Sequence, residues 1–208
     1  DIEFFLDDNW NQQFDVTDPP VGTAQVGVGA PGTYTVTHSF AAPADRPAMN
    51  QWVLAVIDPG EEAGRIVERI EASGLAPTMV LHTHGHLDHA GGPADLMRRL
   101  PPGLPVGLHR EELDLYRNIA MQGRMFGLET ETPPEPDLWL EHGLEIELGR
   151  LRLEVRHTPG HSPGGVCFVV HGAPEPAAVV GDVLFAGSIG RTDFPGGDYD
   201  TLIASIQN

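Results

Sequence analysis

Residues 83–89 read Thr-His-Gly-His-Leu-Asp-His, and the interpretation of the whole chain depends on them. They follow an apolar run at 79–81 and precede Ala-Gly-Gly at 90–92. Three imidazoles and a carboxylate therefore lie within six residues, at a point where the chain would leave a strand and its side chains can converge. Imidazole and carboxylate ligands together suit zinc, iron or manganese rather than calcium or magnesium. This density of ligand-type residues predicts a metal site.

Three motifs, in the same order along the chain, resemble the signatures of the metallo-β-lactamase superfamily. The first is His-x-His-x-Asp-His at 84–89, the second is His-Thr-Pro-Gly-His-Ser-Pro-Gly at 157–164, and the third is Gly-Asp at 181–182 after an apolar run. The stretch Gly-Ser-Ile-Gly-Arg-Thr-Asp-Phe-Pro at 187–195 is similar to the glyoxalase II-like branch, the hydroxyacylglutathione hydrolases and their relatives. The resemblance extends from residue 53 to the end of the sequence.

The resemblance implies two divalent metal ions, with zinc expected and iron or manganese as alternatives. The implied ligands are His84, His86 and His161 for the first ion, Asp88 and His89 for the second, and Asp182 as the bridge. Asp88 and Asp182 are also expected to take part in catalysis. Asp58, at the end of a predicted strand, is a candidate to accept a hydrogen bond from a ligand histidine, because such histidines usually donate their second nitrogen to a carboxylate or a carbonyl.

The implied activity is metal-dependent hydrolysis of a thioester such as an S-acylglutathione, by attack of a metal-bound hydroxide on the carbonyl. Two alternatives stay open: a mononuclear iron persulfide dioxygenase, and a catalytically impaired scaffold of the same fold. Dinuclear members carry a further histidine downstream of the bridging aspartate, whereas no histidine follows His171 here. The expectation is either that the natural chain is longer, since this one begins with Asp1 rather than Met, or that the second metal site is incomplete.

Four residues are candidates for contact with the substrate. Arg191 is expected to clamp an anionic group of a thioester, or else to pair with a neighbouring aspartate and fix its loop. The pattern at 111–127 predicts one helix, and the resemblance places this segment beside the metal site. Tyr116, Met121 and Phe126 would then form one wall of the substrate pocket, although apolar residues at helical spacing are also typical of a core.

The composition excludes several classes of function. The net charge is −18, all 12 basic residues are arginine, and there is no lysine, so Schiff-base chemistry is excluded. The arginines are scattered, which argues against a nucleic-acid partner. No apolar run approaches the ~20 residues that a membrane span needs. The single cysteine, Cys167, lies in a strand-like run and is predicted to be buried, which is compatible with a reducing cytoplasm as the expected location.

The arrangement of elements predicts an α+β protein. A strand at 53–57, a helix at 61–73 and a strand at 79–81 form a β-α-β unit, and a short helix is predicted at 94–100. Two strictly alternating segments at 144–148 and 151–155 predict a β-hairpin with one buried face. The motifs imply one domain over 1–208, a four-layer αβ/βα sandwich with the metal site on loops at one edge. Residues 1–50, with a strand at 34–37, are expected to be an irregular extension or an extra hairpin.

Overall fold

The computed structural model describes residues 25–28, 34–37, 53–60 and 62–208. The strands of this part are β1 (Gln25–Val28), β2 (Tyr34–Thr37), β3 (Val53–Ile57), β4 (Ala76–Leu81), β5 (Val106–Leu108), β6 (Leu138–Trp139), β7 (Glu145–Leu148), β8 (Leu151–His157), β9 (Val166–His171), β10 (Ala177–Val179), β11 (Leu184–Phe185) and β12 (Ser188–Ile189). Its α-helices are α1 (Ala63–Ser73), α2 (Leu87–Ala90), α3 (Pro93–Arg99), α4 (Leu113–Arg117), α5 (Ile119–Met125) and α6 (Tyr199–Gln207). Short 3-10 turns occupy Arg110–Glu112 and Gly181–Val183.

The first large sheet is parallel, with the strand order β3-β4-β5-β6. Its first two strands flank α1, so the predicted β-α-β unit is confirmed. Gly74 ends α1 in the left-handed conformation, with a φ of 66°, which glycine adopts without steric cost. The strand β4 begins three residues before its predicted start, at Ala76, and it delivers the histidine motif at its end.

The second large sheet is antiparallel, with the strand order β10-β9-β8-β7. The predicted hairpin is confirmed by the pairing of β7 with β8, and Gly149 in the turn has a φ of 62°. Side chains of β7 alternate between exposed and buried, as expected for a strand with one face on the core. The strands β1 and β2 pair with each other in a separate two-stranded sheet, and the other predictions for 1–50 lie outside the described residues.

The core confirms the four-layer order of helix, sheet, sheet and helix. Alternation along β3 sends Ala55 and Ile57 towards the second sheet, while Leu54 and Val56 pack against α1 and α3. On the far side of the second sheet, Leu202 of α6 packs against the buried Cys167 of β9. The prediction that Cys167 is a core residue is therefore confirmed.

The single helix predicted at 111–127 is wrong, because the segment is broken at Asn118. The helix α4 ends there and α5 begins, and Asn118 has non-helical backbone angles with a ψ of 13°. The side-chain amide of Asn118 donates to the carbonyl of Asp114 at 2.8 Å, an interaction that competes with the regular helical pattern. No helix among the described residues is long and apolar enough to cross a membrane.

Candidate metal centre

Three separate segments supply the side chains of the centre. The loop after β4 carries His84 and His86, and α2, which the sequence did not predict, carries Asp88 and His89 in its single turn. The loop between β8 and β9 carries His161, and the 3-10 turn after β10 carries Asp182. The backbone N–H of Val166, at the start of β9, donates to the carbonyl of Thr83 at 2.9 Å. This bond joins the two sheets at the level of the site.

Three imidazoles form a first cluster, with ligand atoms within 4.8 Å of one another. The Nε2 atom of His161 lies 2.9 Å from Nδ1 of His86 and 3.3 Å from Nε2 of His84. The side chains of His84 and His161 are buried. Burial, with the neighbouring imidazoles adding to it, holds the pKa of His84 well below its usual value and lowers the pKa of His86 to about 4. Both rings are therefore neutral near pH 7, the form in which imidazole binds a metal.

The hydrogen bonds of the outer ring nitrogens fix the tautomers of two of these histidines. Nδ1 of His161 lies 2.8 Å from the carbonyl of Arg191, which only accepts, so this nitrogen carries the proton. Nδ1 of His84 lies 3.0 Å from the hydroxyl of Thr83, which itself donates to a carboxylate oxygen of Asp58 at 2.7 Å. The two Nε2 atoms, 3.3 Å apart, thus direct lone pairs towards each other. A cation between them removes this repulsion, and the donor set fits a metal ion.

A second cluster contains His84, His89 and Asp182. Nε2 of His89 lies 3.2 Å from Oδ1 of Asp182 and 3.7 Å from a carboxylate oxygen of Asp88. The other oxygen of Asp182 lies 3.5 Å from Nε2 of His161. One carboxylate therefore faces both clusters, which is the position that a bridging ligand needs.

A proton on His89 offsets the negative charge of the carboxylates around it in the second cluster. Burial disfavours the charged imidazole, but Asp58 and Asp182 outweigh it and raise the pKa of His89 well above its usual value. Burial opposes ionisation of Asp182, while the hydrogen bond from His89 lowers the pKa of its carboxyl. A metal ion bound here would take the place of that proton, because the ligand must present a lone pair.

Asp58 forms hydrogen bonds to Thr83, which precedes His84, and to His89 of the second cluster. It is buried at the end of β3, and its φ of 50° is unusual for a residue with a side chain. One of its oxygens accepts the backbone N–H of Thr83 at 2.7 Å, and the other accepts the Thr83 hydroxyl and Nδ1 of His89, the latter at 3.1 Å. Asp58 therefore lies within hydrogen-bonding distance of His89, as expected for the partner of a candidate ligand histidine.

The structure does not assemble the predicted wall of Tyr116, Met121 and Phe126. Tyr116 is 1% exposed and packs in the core with its ring centroid 5.2 Å from that of His82. Met121 and Phe126 are 57% and 65% exposed. Tyr116 belongs to α4, whereas Met121 and Phe126 lie beyond the break at Asn118, where α5 buries Ile119 and Gly123 instead.

Arg191 lies at the edge of the centre and pairs with a neighbouring aspartate, which was the alternative expectation for this residue. Its guanidinium forms two hydrogen bonds of 2.8 Å to the carboxylate of Asp193 and lies 3.8 Å from the ring centroid of Phe194. The ring of Phe194 in turn meets His86 edge to face, with centroids 5.5 Å apart. Phe194 is therefore an apolar side chain beside the first cluster, and no local pattern singles it out within its motif.

Residues of the α4–α5 region support the histidine loop. The side-chain amide of Gln122 donates to the carbonyl of Gly85 at 3.0 Å, and its oxygen accepts the backbone N–H of Leu87 at 3.1 Å. Glu112 accepts the backbone N–H of Gly85 at 2.7 Å. No local sequence pattern marks these two residues, because their partners lie more than 25 positions away.

Three other histidines, His82, His109 and His157, are arranged differently. His82 is buried, and burial lowers the pKa of its ring to about 4. His109 and His157 lie near Glu111, and their ligand atoms are also within 4.8 Å of one another. However, the two rings are stacked, with centroids 4.2 Å apart and an interplanar angle of 13°. A single ion cannot lie in both ring planes of such a stack, so this group does not have the geometry of the two clusters above.

Comparison with known proteins agrees with the fold. The profile of the metallo-β-lactamase superfamily matches residues 51–208. The hydroxyacylglutathione hydrolase GloC of Haemophilus influenzae is 42% identical over 155 residues, which cover 74% of this chain and 71% of that protein. The probable metallo-hydrolase YqgX of Bacillus subtilis is 38% identical, over 73% of this chain and 70% of its own length.

Solved structures give the same result. TTHA1623, crystallised in a di-iron-bound form, is 40% identical, with a TM-score of 0.64 over 73% of this chain and 72% of that one. The B3 metallo-β-lactamase BLEG-1 is 34% identical, with a TM-score of 0.68 over 76% and 75% of the two chains. The family match, the shared fold and the sequence identity lead to one conclusion: the chain is a metallo-hydrolase that belongs to the metallo-β-lactamase superfamily.

Proposed function

We propose that the chain hydrolyses thioesters of the S-acylglutathione class at a centre of two divalent metal ions. The observation that carries the proposal is the pair of Nε2 atoms of His84 and His161, which lie 3.3 Å apart with their lone pairs facing each other. Asp182 supports a second ion, because its two oxygens face different clusters. Zinc is the expected metal, with iron as the first alternative because TTHA1623 was crystallised with two iron ions.

Each side chain of the centre has a proposed role. His84, His86 and His161 hold one ion, Asp88 and His89 hold the other, and Asp182 bridges them. Divalent ions in such a site supply an activated water and positive charge for the oxyanion that develops on the carbonyl. Asp58 keeps the proton of His89 on Nδ1, and Thr83 does the same for His84, so that both Nε2 atoms stay available.

A thioester suits this donor set because its leaving group needs little help. A thiol has an unperturbed pKa of ~8.5, so the thiolate leaves without a dedicated general acid. Every imidazole and carboxylate of the two clusters is already proposed as a ligand. GloC, at 42% identity, is named as a hydroxyacylglutathione hydrolase, which supports the glutathione thioester as the substrate class.

Hydrolysis of β-lactams is the second candidate, because BLEG-1 is named as a B3 metallo-β-lactamase and has the higher TM-score of the two structures compared. The reaction also begins with attack on an acyl carbonyl. Its leaving group is an amine, however, which needs a proton. The two candidates therefore differ in the demand for a general acid.

The test uses the purified chain, stripped of metal and reloaded separately with Zn²⁺, Mn²⁺ or Fe²⁺. We expect two ions per chain and loss of the thioester absorbance of S-lactoylglutathione, with slower turnover of a chromogenic β-lactam. For His161→Ala we expect loss of metal and a fall in hydrolysis of at least ~100-fold, while the exposed His142 provides the control variant His142→Ala. Full metal content in His161→Ala would contradict the ligand assignment.

The same preparation separates the alternative functions. One iron per chain, with oxygen consumption in the presence of glutathione persulfide, would favour the dioxygenase. A loaded chain that leaves both thioester and β-lactam intact would refute the proposed hydrolysis, and a chain that binds no metal would indicate a scaffold.

A further inference from the structure

Glu112 connects the two loops that carry the first cluster. It lies in the 3-10 turn after β5, and it is fully buried, with 0% exposure. Its Oε2 accepts the backbone N–H of Gly85 at 2.7 Å, and its Oε1 accepts the backbone N–H of Gly164 at 2.6 Å. Both distances are shorter than the 2.9 to 3.0 Å that is typical of neutral N–H···O bonds, as expected for a carboxylate acceptor.

The two amide groups belong to the metal loops themselves. Gly85 stands between His84 and His86, and Gly164 is three residues after His161. The loops are therefore joined through one carboxylate, and the same two loops bring Nδ1 of His86 and Nε2 of His161 within 2.9 Å of each other. Displacing either amide moves at least one ligand nitrogen relative to the others.

Both contacts require glycine at the partner position. A Cβ atom on Gly85 would lie 2.9 Å from the backbone nitrogen of Tyr116 and 3.1 Å from the carbonyl oxygen of Glu112. A Cβ atom on Gly164 would lie 2.9 Å from the backbone nitrogen of Glu112. The backbone of each loop thus approaches the Glu112 turn more closely than a side chain would permit.

We propose that Glu112 is a positioning residue of the metal centre, which sets the separation of the two histidine loops and thereby the affinity for the ion held by His84, His86 and His161. The inference rests on the proposed metal centre and adds a residue outside its ligands. A carboxylate is required because both of its oxygens face an N–H donor. Glutamine has one oxygen and one NH₂ group, so it can satisfy only one of the two amides and turns a donor towards the other.

The experiment compares Glu112→Gln with the wild-type chain in the affinity of the metal-stripped protein for Zn²⁺ and Co²⁺. Competition with a chromogenic chelator gives the affinity, and the visible absorption bands of bound Co²⁺ report the ligand geometry. We expect a loss of affinity of about 10- to 100-fold and a changed Co²⁺ spectrum. The adjacent, exposed Glu111 supplies the matched control Glu111→Gln, which should bind both metals like the wild type.

The outcomes distinguish this inference from the proposed function. If the wild-type chain binds no metal, the proposed metal centre itself fails, and the inference fails with it. If the wild type binds metal and Glu112→Gln has the same affinity and Co²⁺ spectrum, only the role of Glu112 is refuted, even if the variant unfolds at a lower temperature. Should Glu112→Gln not fold, Glu112→Asp keeps the charge but shortens the reach, and unchanged metal affinity in that variant would overturn the inference.

Discussion

Replacing Asp58 by asparagine changes one oxygen into an NH₂ group at a position where three donors converge. In one orientation of the amide, its oxygen still accepts the backbone N–H of Thr83, and its NH₂ group faces the Thr83 hydroxyl and Nδ1 of His89. The hydroxyl must then donate to Nδ1 of His84, 3.0 Å away, and Nδ1 of His89 must accept. Both histidines would carry their proton on Nε2, the nitrogen needed for the metal.

The opposite orientation of the amide is also unfavourable. Its NH₂ group would then face the backbone N–H of Thr83, and this buried donor would lose its partner at a cost of about 1 to 3 kcal/mol. Neither orientation of the asparagine amide therefore preserves all three hydrogen bonds that Asp58 accepts. A cost of this size corresponds to a loss of metal affinity of about 5- to 150-fold, which includes the range of about 10- to 100-fold that is usual for a hydrogen-bond partner of a metal ligand.

The assay is chelator competition with Zn²⁺ on the metal-stripped protein. The matched control is Asp137→Asn, because one oxygen of Asp137 accepts the backbone N–H of Val106 at 2.7 Å, and an asparagine oxygen can do the same. We expect the control to bind Zn²⁺ within ~2-fold of the wild type. Wild-type affinity in Asp58→Asn would refute the argument that Asp58 fixes the histidine tautomers.

Three further predictions concern the core, the thiol and the mouth of the site. Burial raises the pKa of Cys167 to about 11, so about one thiol in a thousand is ionised at pH 8. We therefore expect no rapid reaction of Cys167 with an aromatic disulfide until the chain is unfolded. Leu202→Ala should lower the free energy of unfolding in a denaturant titration by about 2 to 5 kcal/mol, since this side chain is fully buried. A loss under about 1 kcal/mol would argue against α6 as an outer layer of the core. Arg191→Ala should raise KM for anionic thioesters more than for neutral ones, whereas equal losses on both substrates would indicate that its pairing with Asp193 is purely structural.

Local sequence patterns were enough to predict the main elements and the candidate ligands. Apolar runs, turn residues and alternation placed β3, α1 and the β7–β8 hairpin, because these patterns act over a few neighbouring residues. The ligand motif was visible for the same reason, since four of its side chains lie within six positions. The order of three motifs then led to the four-layer fold, which the packing of the two sheets and their helices confirms.

The contacts that hold the centre together became visible in the folded chain alone. Asp58 reaches Thr83 across 25 positions, and Glu112 reaches Gly85 and Gly164 across 27 and 52. Tyr116 is buried and Phe126 is exposed, on either side of a break at Asn118 that the apolar spacing does not indicate. Such contacts depend on how loops from different layers meet after the sheets have packed. Periodicity carries no information about them, because it reports which face of an element is apolar and not which distant backbone amide that element will meet.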